Sequence, residues 1–204
     1  MRLIGMLDSP YVRRVAVSLH LLDLPFDHEP LSVFRHFDAF AAINPVVKAP
    51  TLVTDGGVVL MDSSLILDHL DRLVPPGRRL VPDDADAHAR NQRLAGLALA
   101  ACEKTVQLVY EFNLRPAEKQ HQPWIDRVAG QLRTAYRLLE AEIGRDGGWL
   151  FADRPLQADV SVAVAWRFTQ DVLADRIAAA DHPALQAFSA RAEASAPFLA
   201  CPPD

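Results

Sequence analysis

The densest run of chain-breaking residues, Pro75-Pro76-Gly77 followed by Pro82-Asp83-Asp84, divides the 204 residues unequally. Proline locks φ and lacks an N–H, and glycine adds backbone entropy, so neither helix nor strand runs through it. The two sides read differently. Before the break, short apolar runs alternate with helical patterns. After it, nearly everything has helical periodicity.

On the first side, Leu3 to Met6 reads as a strand. Ser9-Pro10 opens a helix, with proline at the first helical position. Val12, Val15, Ala16, Leu19 and Leu22 share one face of it, while Val17 and Leu21 sit nearly opposite. A helix apolar on two sides is expected between two bodies. Phe26 to Leu31 reads as a weaker strand, and Phe34 to Ile43 as a short helix or loop. Thr51 to Thr54, the turn Asp55-Gly56-Gly57 and Val58 to Met61 form a hairpin pattern. Asp62-Ser63-Ser64 caps a helix carrying Leu65, Ile66, Leu70 and Leu73. The order is β-α-β-α-β-β-α.

On the second side, Ala85 to Phe112 is a long helix, striped by Leu94, Leu97, Ala98, Ala101, Leu108 and Phe112. Trp124 to Ile143 is another, closed by Asp146-Gly147-Gly148. Val160 to Phe168 is apolar all round and is expected in a core. Pro183 to Ala194 is a short helix, and Pro197 to Asp204 a tail. Two domains follow, an α/β unit over 1–76 and an all-helical unit over 84–204.

Charge narrows the partners. The net charge is −5, and three of those negative charges fall before Pro76. Neither side carries a basic field, which argues against nucleic acid or an anionic membrane. No apolar run approaches the roughly 18 residues of a membrane span. The two cysteines, Cys102 and Cys201, form no CxxC, so a disulfide framework, a zinc finger and a dithiol redox motif are excluded. The histidines show no metal-ligand spacing, so no metal is expected. A cytoplasmic setting is the default.

Several local motifs then fall in a familiar order. They are Asp8-Ser9-Pro10-Tyr11-Val12-Arg13-Arg14-Val15, Asn44-Pro45-Val46-Val47-Lys48-Ala49-Pro50-Thr51-Leu52, Leu60-Met61-Asp62-Ser63-Ser64-Leu65-Ile66, and Ala158-Asp159. With the element order, they resemble the cytosolic glutathione transferases. Arg115-Pro116-Ala117-Glu118-Lys119 and Pro202-Pro203 look most like a bacterial, serine-type group. The resemblance implies a thioredoxin-like α/β domain followed by an all-α domain. It also implies glutathione as co-substrate, a small hydrophobic electrophile and a homodimer. The dimer would pair through the helices Ser64 to Leu73 and Ala85 to Phe112.

Residue by residue, Ser9 is on its own either an N-cap before Pro10 or a hydroxyl kept for chemistry. The resemblance implies the second, as hydrogen-bond donor to the glutathione thiolate, with Tyr11 the competing hydroxyl. The family's thiol-reductase branches carry Cys where this chain has Ser9, so a mixed-disulfide mechanism is not expected. Asp62 and Ser63 cap a helix, and the resemblance adds a seat for the γ-glutamyl end. Ala49 is implied to pair with the cysteinyl backbone through a cis bond to Pro50, although X–Pro bonds in folded proteins are cis only about 5–6% of the time. Lys48 reads equally as a solvated lysine or a contact to the glycyl carboxylate. Arg35 and His36 precede a loop that touches the same end in the family. The electrophile is expected against Tyr11, Tyr110, Glu111, Arg115 and Trp166. Asp159 reads as a structural cap, although Leu156 stands where the family has Ser or Thr, leaving the capping box incomplete. Two other functions stay open, a glutathione-dependent isomerase of the maleylacetoacetate type and a non-catalytic interaction module that keeps the fold.

Overall fold

The protein is described by a computed structural model covering residues 1–144, 147–151 and 153–203. Asp146 and Asp204, which the sequence reading used as a helix end and a tail end, lie outside the described residues. The chain forms two compact units, Met1–Leu80 with Ala194–Asp204, and Val81–Glu193. The last eleven residues thus belong to the first unit, where the sequence reading had carried the helical domain to 204.

In the first unit the strands are β1 (Arg2–Ile4), β2 (Asp27–Glu29), β3 (Thr51–Val53) and β4 (Val59–Met61). The helices are α1 (Pro10–Leu21), α2 (Phe37–Ile43) and α3 (Ser63–Asp71). This is the α/β order expected, in a thioredoxin-like arrangement. The sheet order is β2-β1-β3-β4, with β1 parallel to β2 and antiparallel to β3, and β3 antiparallel to β4. β1 stops short of the expected Met6 because the backbone turns at Gly5. That residue has φ 137°, and a Cβ there would lie 2.6 Å from Val12 Cγ2 and 3.2 Å from Ala49 Cβ. Only glycine lets the strand end pack this closely against the following helix.

α1 is buried on nearly every side, including Arg13, Arg14 and Ser18 as well as Val12, Val15 and Leu19. Its second apolar side has a definite partner. The expected tail contains a helical turn over Ala196–Leu199, and that turn packs on α1. Arg13 Nε donates to the Cys201 carbonyl at 2.8 Å, and its guanidinium lies 5.6 Å from the Phe198 ring centroid.

In the second unit α4 (Ala85–Leu114), α5 (Gln122–Glu142), α6 (Gln157–Leu173) and α7 (Pro183–Glu193) form an all-helical body, and the terminal turn Ala196–Leu199 is α8. α4 packs against α5 and α6, and α6 against α7. α6 is longer than the apolar run Val160 to Phe168, because its start is set by Asp159. That carboxylate accepts the Leu156 N–H at 2.9 Å and the Leu150 N–H at 2.8 Å. The aspartate half of the capping box is therefore present, while Leu156 has no side-chain acceptor to supply the other half. No helix among the described residues is long and apolar enough to cross a membrane.

Candidate functional site

Strand register gathers the first-unit motifs at one end of the sheet. Ile4 pairs with Thr51, and Thr51 pairs with Met61. The exit of β1 towards Ser9, the entry of β3 after Ala49-Pro50 and the exit of β4 into Asp62-Ser63 therefore meet. Two helices, α1 and α3, begin there, each with positive partial charge at its N-terminus.

Ser9 is the N-cap residue of α1, yet its side chain caps nothing. Its carbonyl accepts the Arg13 N–H at 2.9 Å, and its own N–H donates to Met6. Among the described residues its half-buried hydroxyl makes no hydrogen bond. The simple capping role is not the one its side chain plays. Tyr11 sits in the first turn of the same helix, half-buried.

The Ala49-Pro50 bond is cis, against the base rate for such bonds and as the resemblance implied. Among the described residues nothing pairs with the Ala49 backbone N–H or C=O. Ala49-Pro50 leads directly into β3. The loop before them is held by residues the sequence reading gave no role. Asn44 Nδ2 donates to Thr51 Oγ1 at 2.8 Å, and Asn44 Oδ1 accepts the Val46 N–H. Thr51 Oγ1 in turn donates to the Lys48 carbonyl at 2.8 Å. Between these ties Val47 adopts φ 52°, a left-handed conformation costly for a β-branched residue. A buried Asn followed by Thr at the strand start is the signal that would have found this clamp.

Asp62 accepts the Ser64 N–H at 2.9 Å and is exposed. Its backbone has φ 69°, a strained conformation of the kind that functional sites retain. Ser63 opens α3, so its N–H has no acceptor within the helix. Its hydroxyl faces a buried cation, the Arg14 guanidinium, at 3.1 Å. Arg14 belongs to the Asp8–Val15 motif, whose pattern by itself assigns it no role.

The peripheral residues divide. Lys48 is exposed, and its ammonium has no partner among the described residues. Arg35 is exposed and lies 3.9 Å from Met6 Sδ. His36 is used locally: its Nδ1 accepts the Ser32 N–H at 3.1 Å in a turn that Ser32 Oγ also braces.

Two of the second-unit residues expected to face the electrophile, Trp166 and Glu111, are buried instead. Trp166 is 1% exposed, packed edge-on against Tyr136 and His182, and donates to Gln186. It is a core residue, because an apolar helix buries its largest side chain where most surface is removed from water. Glu111 is buried as well. It pairs with Arg115 at 2.8 Å and accepts the His121 N–H at 3.0 Å, bracing the connection from α4 to α5. Arg115 and Tyr110 remain exposed. No group of three His, Cys, Asp or Glu side chains capable of holding a metal is found among the described residues.

Comparison with known proteins gives this geometry a context. Residues 3–78 match the family profile for the glutathione S-transferase N-terminal domain, and residues 122–191 that for its C-terminal domain. A glutathione transferase family member from Pseudomonas fluorescens, solved with bound glutathione, is 33% identical, with TM-score 0.86 over 100% of this chain and 98% of that one. A glutathione S-transferase from Methylobacterium radiotolerans, in complex with glutathione sulfonate, is 26% identical, with TM-score 0.91 over 99% and 94%. A maleylacetoacetate isomerase from Pseudomonas aeruginosa is 31% identical over 159 residues, covering 72% of this chain and 71% of that protein. With both domain profiles matched in order and the fold shared along the whole chain, the protein belongs to the glutathione S-transferase family.

Proposed function

We propose that the protein binds glutathione on its first unit and conjugates the glutathione thiolate to a small hydrophobic electrophile. The observation that carries this reading is the uncommitted Ser9 hydroxyl at the start of α1. A thiol of pKa about 8.5 is only a few per cent ionised at pH 7. Lowering that value by two units takes about 2.7 kcal/mol of preference for the thiolate. A hydroxyl donor to a charged acceptor contributes about 1.5–3 kcal/mol, and the α1 N-terminus adds to it.

The rest of the tripeptide is matched from the same unit. The unpaired Ala49 backbone takes the cysteinyl amide as an added strand. Asp62 pairs with the γ-glutamyl ammonium, and Ser63 with its carboxylate. Lys48 and Arg35 are cations for the glycyl end, with His36 behind them. In the reaction the thiol proton leaves to solvent, the thiolate forms a carbon–sulfur bond, and the leaving group departs with its electron pair. Tyr11 is the first-unit side chain nearest that chemistry in sequence.

One specific observation favours a second reading. The relative from Pseudomonas aeruginosa is a maleylacetoacetate isomerase. An isomerase regenerates glutathione, whereas a transferase consumes it mole for mole. Following glutathione during turnover of an unsaturated diacid and of a chloronitrobenzene separates the two.

We also propose a homodimer with two-fold symmetry, the commonest arrangement of soluble oligomers. Its support is the exposed apolar residues Val58, Val59 and Met61, along β4 and the turn before it, with Leu65, 67% exposed, in the first turn of α3. Sedimentation as a single 22.5 kDa species at micromolar concentration would overturn it. Cys102 and Cys201 are buried and form no disulfide among the described residues, which suits a reducing cytoplasm.

The test of the central proposal is Ser9→Ala. The conjugation rate at pH 7 should fall about 10- to 150-fold, with the deficit shrinking at higher pH as the thiol ionises unaided. Glutathione affinity, expected between micromolar and millimolar, should change far less. Tyr11→Phe should leave the rate near wild type. A Ser9→Ala protein with unaltered rate and thiol pKa would overturn the mechanism.

A further inference from the structure

Behind the start of α3 lies a buried charge. Arg14, on the same helix as Ser9, is 4% exposed. Its terminal nitrogen Nη1 is 3.1 Å from Ser63 Oγ and 3.3 Å from Ser64 Oγ. A guanidinium only donates, and it stays protonated at any working pH. Both hydroxyls therefore accept from it, and the two hydrogens of one nitrogen suffice for the pair. A serine hydroxyl has a single O–H besides its lone pairs. With Arg14 occupying an acceptor position, the Ser63 O–H is turned away from the guanidinium and left for an acceptor outside. Buried charge acts more strongly on its neighbours than exposed charge, and the α3 dipole has the same sign.

We infer that Arg14 is a positioning residue: by holding an acceptor position of the Ser63 hydroxyl, it commits that hydroxyl to donate to the carboxylate of the ligand. The inference rests on the glutathione reading and deepens it by naming what recognises the γ-glutamyl carboxylate. Arg14 touches no substrate itself. Its effect runs through Ser63, and that dependence separates it from a residue that merely fills space.

The experiment is calorimetric titration of glutathione into wild type, Arg14→Lys and Arg14→Gln, each also made in a Ser63→Ala background. Glutamine is neutral and can accept, so Arg14→Gln should bind at least 10-fold more weakly than wild type. Lysine keeps a donor-only cation but loses the planar fork, so Arg14→Lys should lose about 3-fold. In the Ser63→Ala background both losses should shrink to within 2-fold, because the coupled partner is gone. Equal losses in the two backgrounds, or Arg14→Lys as weak as Arg14→Gln, would overturn the inference. If Arg14→Gln does not fold, the Arg14→Lys pair decides by the same comparison. Wild type that takes up no glutathione overturns the underlying reading; wild type that binds, with Arg14 and Ser63 acting independently, overturns only the role of Arg14.

Discussion

Asp62 and Asp159 both start a helix by accepting backbone N–H groups, and they do so in opposite surroundings. Asp62 is exposed, holds one N–H, and sits on a strained backbone with φ 69°. Asp159 is 0% exposed and holds two N–H groups from separate parts of the chain, those of Leu150 and Leu156. Burial pushes the Asp159 carboxyl up to about 6, against the pull of those N–H groups and of the nearby Arg191 charge. An aspartate at a helix start is thus buried and structural in one unit and exposed in the other. What differs is how much water and how many unpaired groups surround it.

The largest expected effect breaks the structural member of the pair. Asp159→Ala leaves two N–H groups without their acceptor in a buried place, and should destabilise the protein by about 3 kcal/mol or more. For a chain of this size that is a fall in Tm of roughly 6–12 °C, read by calorimetry. A loss under about 1 kcal/mol would show that α6 starts without its carboxylate.

Next comes a pH effect at the same residue. Its folded pKa of about 6 lies above the ordinary 3.8, so the folded protein holds an extra proton between these values. The stabilisation is complete below about pH 3.8 and is lost as pH rises through 6. Relative to Asp159→Asn, wild type should lose on the order of 2–3 kcal/mol across that window and stay level above it. Denaturant titrations at pH 4, 5, 6 and 7 check this. A difference that does not vary with pH would mean that the carboxyl titrates normally.

Asp62 offers the reverse separation. Glycine adopts positive φ without strain and costs only a few tenths of a kcal/mol as an N-cap. Asp62→Gly should therefore unfold within about 0.5 kcal/mol of wild type, yet bind glutathione at least 5-fold more weakly, through loss of a charge-assisted pair. Calorimetry showing unchanged affinity would remove Asp62 from the site.

The smallest effect is also diagnostic. Because the Ser9 hydroxyl caps nothing, Ser9→Ala should move Tm by less than about 2 °C, whereas loss of a working serine cap costs about 1 kcal/mol. A larger drop would make Ser9 a structural cap after all.

Much of this was legible in the chain itself. The element order of the first unit, the buried character of α1 and the chemistry of Asp62-Ser63 follow from periodicity and capping residues, which act over one or two turns. Arg14, Asn44 and Thr51 did not stand out as site residues, because their partners Ser63 and the 44–50 loop come near only through strand register. The place of Trp166 is hidden in the sequence for the same reason. An aromatic on a fully apolar helix looks alike from either side of a core, and only packing around Tyr136 and His182 shows which side it takes.

Local interactions thus determined the secondary structure, the break near Pro75-Pro76 and the candidate donor at Ser9, since each depends on neighbours in the chain. Long-range packing decided the rest. It returned Ala194–Asp204 to the first unit, where Arg13 holds the Cys201 carbonyl, and it left Ser9 uncommitted while burying Asp159. The physical reason is that burial and hydrogen-bond partnership belong to the space around a residue, and residues far apart in sequence create that space.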